Sequence, residues 1–136
     1  MCVDMDERVV QAWGGQGNIA ACFQDLGAQD FRRLERQVYS EYAVPSRAVV
    51  ALGGGALLDA EIARITQTWG VCGWLYVPFH VMHARWCISP PMQLPYDQWR
   101  VAYAARTRAC MAWTSRCWAP QLQDMGAQML QLSQVC

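Results

Sequence analysis

Short, uniformly apolar runs alternate along this chain with stretches whose apolar residues recur every three or four positions. Residues 47–52 (RAVVAL) and 71–77 (VCGWLYV) are the clearest runs, the first stopped by Gly53-Gly54-Gly55 and the second by Pro78. Runs this short and this apolar predict strands buried on both faces of a parallel sheet. Residues 1–3 read as a strand stub, and 115–119 as a last strand before Pro120. Helical spacing fills the gaps. Asn18 is placed to cap a helix over 19–25, and residues 29–42 carry Phe31, Leu34, Val38 and Tyr42 on one face. Asp59 is placed to cap a helix over 60–69, and residues 79–86 form a short helix. Residues 96–116 carry a stripe through Trp99, Val101, Tyr103 and Cys110, and 121–134 form a last helix. Strands alternating with helices imply an α/β sandwich on a parallel sheet. No repeat, low-complexity tract or linker interrupts the 136 residues, so one domain over 1–136 is expected, with Ser89-Pro90-Pro91 as its loose loop.

Composition narrows the function classes. A chain of this size can bury a core without staples. Eleven basic residues balance eleven acidic ones, which argues against a nucleic-acid face or an acidic-lipid surface. The apolar stretches 48–58 and 71–81 are too short or too interrupted to span a bilayer, and no signal-peptide pattern opens the chain. Seven cysteines without a C-x-x-C pair read as reduced thiols of a cytoplasmic protein. All eleven basic residues are arginine, so the chain holds no lysine.

Several constellations carry chemistry. Asp4-Met5-Asp6 follows the first strand stub, where α/β proteins bind ligands beyond strand C-termini; the pair suits a magnesium water shell and a hydroxyl proton, or is a solvated acidic turn. Arg32 and Glu35 are three apart on a helix, as an arginine oriented to grip a carboxylate or as an ordinary exposed pair. Gly53-Gly54-Gly55-Ala56 after a buried strand is the sharpest signal: such a turn lets backbone pass close to a ligand. Gly14-Gly15-Gln16-Gly17 is not a phosphate loop, because no lysine exists to complete one; it reads as a turn between helices. His80, His83 and Cys87 have metal-ligand spacing on a short helix, but no fourth ligand is evident. The seven tryptophans are too dispersed for a base-stacking platform.

Taken in order, these pieces resemble shikimate kinase. The family reads D-x-D after its second strand, a small helix ending in Phe, Gly-Glu-x-x-Phe-Arg-x-x-Glu, a strand ending in Gly-Gly-Gly-Ala, a lid with Arg-Pro-Leu, and a helix with Arg-x-Pro-Leu-Tyr. This chain has Asp4-Met5-Asp6, then Ile19 to Phe23, Gly27-Ala28-Gln29-Asp30-Phe31-Arg32-Arg33-Leu34-Glu35, and Leu52-Gly53-Gly54-Gly55-Ala56. The resemblance implies a P-loop-kinase-like three-layer sandwich and ATP-dependent phosphorylation of the shikimate 3-hydroxyl, in chorismate and aromatic amino-acid synthesis. It implies that Asp6 holds a shikimate hydroxyl and acts as base, and that Asp4 helps position magnesium. Arg32 and Arg106 would clasp the carboxylate, with Glu35 orienting Arg32, while Gly53, Gly54 and Gly55 approach the ring hydroxyls. Shikimate would be the small-molecule partner, and a monomer is compatible with the pattern.

The departures shape further expectations. Ala28 replaces the Glu of Gly-Glu, Pro90 replaces the lid arginine, and Arg106-Thr107-Arg108-Ala109-Cys110 lacks the proline, leucine and tyrosine, leaving Arg108 a rival for Arg106. The family's first, central strand and its P-loop have no counterpart. The chain is therefore expected to be an N-terminally truncated member that binds no ATP usefully, either holding shikimate or a similar hydroxy acid without turnover or decaying from a longer gene, with a strand and P-loop encoded upstream.

Overall fold

At the N-terminus side chains alternate as a strand requires: Val3 is buried in β1 (Cys2–Asp4), while Cys2 and Asp4 are exposed. The computed structural model describes residues 1–88 and 95–118. They fall into two compact units, Met1–Gly70 and a second that begins at Val71.

In the first unit β1 runs straight into helix α1 (Met5–Trp13). Asp4 is its N-cap, the carboxylate accepting the Asp6 N–H at 2.9 Å. The sequence pattern implied this helix only through the turn expected after it, because only Met5 and Val9 on it are fully buried and two such residues make no visible stripe. The glycine-rich segment that follows is a turn between helices, as expected. Asn18 then caps α2 (Ile19–Glu41), accepting the Ala20 and Ala21 N–H groups at 3.1 Å each. The two helices expected here are both present as segments of α2, separated at Gly27, whose φ of 71° and ψ of 171° are not helical. Strand β2 (Val49–Ala51) returns parallel to β1, with Val3 opposite Val50. The glycine turn leads through a 3-10 turn (Ala56–Leu58) to α3 (Ala60–Trp69).

Burial explains the packing. Val3, Met5, Tyr39, Ala56 and Ile62 form one core cluster, flanked by Val50, Leu52 and Trp69. Val9, Cys22 and Phe31 form a second between α1 and α2. Side chains the size of Met5 and Ile62 contribute roughly 1.5–3 kcal/mol each when fully buried. Trp13 Nε1 donates to the Asp25 carboxylate at 2.9 Å, tying the end of α1 to α2.

The second unit contains β3 (Gly73–Leu75), α4 (Phe79–Ile88), α5 (Tyr96–Trp113) and β4 (Arg116–Trp118). Strands β3 and β4 pair in parallel, Trp74 opposite Cys117. Aromatic packing joins the two helices: Phe79 lies 5.3 Å from both Trp99 and Tyr103, ring centre to ring centre. The Tyr103 hydroxyl donates to the Val77 carbonyl at 2.9 Å. Ser89-Pro90-Pro91 and the helix expected over 121–134 lie outside the described residues.

One expectation needs correcting. The apolar runs around β2 and β3 are not buried on both faces: Val49 is 47% exposed and Leu75 50%. Each strand has one strand partner among the described residues, so apolar character is present without full cover. The parallel α/β class is as expected.

Asp59 joins α2 to the start of α3. One carboxylate oxygen accepts the Glu61 and Ile62 N–H groups at 2.9 and 3.3 Å, and the other takes Arg36 Nε of α2 at 2.6 Å. Asp59→Ala should cost about 1–2 kcal/mol in urea denaturation through loss of the cap. Asp59→Asn, which keeps a capping oxygen, should cost clearly less, because the ion pair with Arg36 is largely solvated.

Candidate functional site

The second half of α2 presents Phe31, Glu35 and Tyr39 at four-residue intervals on its buried face. Glu35 is deeply buried, its side chain 4% exposed, and it is paired with the Arg32 guanidinium one turn earlier, itself 33% exposed. Arg32 also lies 5.4 Å from the centre of the Phe31 ring, against which Phe23 packs edge-on at 5.1 Å. A guanidinium held by a buried carboxylate and an aromatic face keeps donors for a further anion at fixed height. Arg33 points elsewhere, exposed and paired with Asp30 at 3.1 Å.

The glycine turn lies against these groups. A methyl on Gly53 would collide with the Asp6 carboxylate, and one on Gly55 would come 2.9 Å from Arg32 Nη2. A side chain at either position would have to push the Asp6 carboxylate or the Arg32 guanidinium aside. The turn is pinned at both sides of Gly53: its carbonyl accepts the Ala56 N–H at 3.0 Å, and its N–H donates to the Tyr39 hydroxyl at 3.3 Å.

The structure thus brings together Asp6, Arg32, Glu35, Gly53 and Gly55, with Gly54 between the two glycines and Asp4 one cap away. Asp6 lies in the first turn of α1, not in a loop, and Asp4 has one oxygen engaged as that helix's cap. Arg106 and its rival Arg108 lie on α5, in the second unit. His83 is packed among Phe79, Tyr96 and Trp99. Among the described residues no three His, Cys, Asp or Glu side chains stand together as a metal-binding group. The sequence pattern passed over Tyr39, although its place four residues after Glu35 put it on the same helix face.

Charge and burial oppose each other here. Burial pushes the Glu35 carboxyl above its ordinary value of 4.5, and the Arg32 hydrogen bond and charge pull it back. Burial, then repulsion from Asp4, raises Asp6 above 3.8, again countered by Arg32. Burial pushes the Tyr39 hydroxyl far up, so it stays neutral. The result is one cation facing carboxylates that are reluctant to ionise, beside a glycine turn. Such a constellation can hold an acid bearing hydroxyl groups and accept a hydroxyl proton.

The family model for shikimate kinase matches residues 1–95. The shikimate kinase of Xylella fastidiosa is 39% identical over 67 residues, covering 49% of this chain and 36% of that protein. That of Salinibacter ruber is 36% identical over 83 residues, covering 61% and 40%. The chain therefore spans less than half the length of these two curated relatives. Among solved structures, shikimate kinase from Acinetobacter baumannii in complex with shikimate superimposes with a TM-score of 0.78 at 22% identity, covering 98% of this chain and 78% of that one. The Aquifex aeolicus enzyme gives 0.73 at 20% identity, covering 98% and 80%. These two likenesses establish the fold.

The raised carboxyls fix the sign of a pH dependence. An acid whose folded value lies above its unfolded one binds protons longer in the native state. Its contribution to stability is fully present below the ordinary value and is lost as pH rises through the raised one. Urea midpoints should therefore fall as pH rises from 4.5 through the raised Glu35 value. The difference between wild type and Glu35→Gln should carry that slope, and a difference that grows with pH would contradict the assignment.

Proposed function

We propose that this chain, which belongs to the shikimate kinase family, uses the Asp6–Arg32–Glu35 constellation to hold shikimate. The observation that carries the proposal is Arg32, tied to buried Glu35 and resting on the glycine turn opposite Asp6. In this reading Arg32 takes the ligand carboxylate in a charge-assisted grip, and Arg106 is assigned to the same carboxylate by the resemblance alone. Asp6 accepts the hydrogen of a ring hydroxyl. Its raised value favours that role, because a more basic carboxylate draws the proton more strongly as the oxygen becomes a nucleophile. The glycines admit the ring without a side chain in the way.

The family's reaction transfers a phosphoryl group from ATP with magnesium. Magnesium keeps most of its waters and needs only one or two carboxylates, so the second oxygen of Asp4 together with Asp6 suits its outer shell. The triphosphate is a different matter. Phosphoryl transfer depends on a lysine and a backbone cradle around the phosphates, and this chain has no lysine. The Gly14–Gly17 turn is no substitute, since Asn18 already satisfies the first N–H groups of α2 and the Trp13 ring lies against Gly15. These 136 residues do not fit the nucleotide, and the second reading is that this stretch by itself binds the acid without turning it over.

Titration calorimetry tests both points. The 136-residue chain should bind shikimate and show no heat with Mg-ATP; tight Mg-ATP binding would overturn the second reading. Arg32→Ala should abolish measurable shikimate binding, since losing one partner of a desolvated charge pair costs on the order of 2–5 kcal/mol. Arg33→Ala should change little, and equal losses from the two substitutions would sink the assignment.

A further inference from the structure

Tyr39 is a polar residue in an apolar place. It is 1% exposed, sits in the core cluster with Val3, Met5, Ala56 and Ile62, and stacks on Trp69 at 5.7 Å with the rings 11° from parallel. Packing alone needs only the ring. The hydroxyl adds a polar contact of its own, accepting the Gly53 N–H at 3.3 Å. That N–H is therefore turned inward, away from any ligand above the turn. The same glycine presses against the Asp6 carboxylate, and its carbonyl is held by Ala56. A line of contact thus runs from Trp69 through Tyr39 and Gly53 to Asp6.

We propose that Tyr39 is a positioning residue, whose hydroxyl fixes the Gly53 peptide and so sets the first glycine of the turn against Asp6. In consequence Gly54 and Gly55, and not Gly53, are left to offer N–H groups to a ligand. The part of this inference that concerns shikimate rests on the proposed function; the part that concerns Asp6 does not.

Tyr39→Phe keeps the ring, the stack and the packing, and removes only the acceptor. Three readouts decide the matter: amide exchange at Gly53, the contact of Gly53 with the Asp6 carboxylate in a crystal structure of the variant, and shikimate affinity by calorimetry. Gly53 should exchange at least about tenfold faster while Val50 is unaffected, as expected when one hydrogen bond of this strength is lost. In the variant the Gly53 peptide should turn and its contact with the Asp6 carboxylate should open. Affinity for shikimate should fall roughly three- to tenfold, in keeping with one lost hydrogen bond. Trp69→Phe, which weakens the stack and spares the hydroxyl, should lower the melting temperature without speeding Gly53 exchange relative to Val50. If Tyr39→Phe leaves Gly53 exchange or the Gly53–Asp6 contact unchanged, the positioning role is wrong. If wild type fails to bind shikimate while both of those readouts change, the proposed function fails and the positioning of the turn against Asp6 stands.

Discussion

A carboxylate inside a protein must be paired or protonated, and the first unit is arranged around that constraint at Glu35. Burial makes Glu35 costly to ionise, and Arg32 is the cation that offsets the cost. The guanidinium is thereby held where it meets Gly55, and its charge reaches Asp6. Remove Glu35 and Arg32 keeps only the Phe31 ring to hold its guanidinium in place. Remove Arg32 and a buried acid is left without a partner. The pair carries a desolvation cost at neutral pH that two apolar side chains in its place would not.

Helix placement does the rest. Asp6 owes its position to Met5 and Val9, whose burial holds α1 against the sheet and α2. Asp4 ends the strand and begins the helix in one residue, so the acidic pair is fixed by backbone hydrogen bonds instead of swinging in a loop. The parallel pairing of β1 with β2 then delivers the glycine turn to the same end of the sheet, where ligands of parallel α/β folds bind.

Much of this was legible in the sequence, for identifiable reasons. Asn18 and Asp59 are short polar residues just before periodic apolar stretches, and both cap the helices they announced. Three glycines after an apolar run marked a close approach, and two of them meet the charged groups the resemblance named. What escaped was information that local pattern does not carry. Helix α1 has too few buried residues to print a stripe, and exposure of Val49 and Leu75 depends on what covers them rather than on their own chemistry. Tyr39 was passed over, since nothing in a sequence tells a ring used for packing from a hydroxyl used as an acceptor.

The break at Gly27 has a consequence for how α2 is to be understood. Cys22 and Phe31 are nine positions apart, which in an unbroken helix leaves them about half a turn out of phase and on opposite sides. Both are nevertheless buried in the same cluster against Val9. Gly27 acts as a phase shifter: it resets the angular count so that two segments with different stripes turn toward one core. Cys22 before it and Phe31 after it both face Val9 of α1, and Tyr39, two turns further on, reaches the glycine turn. A side chain that forced φ back to the helical range would put the two segments on one count, and either Cys22 or Phe31, with the arginine that rests on it, would rotate into water.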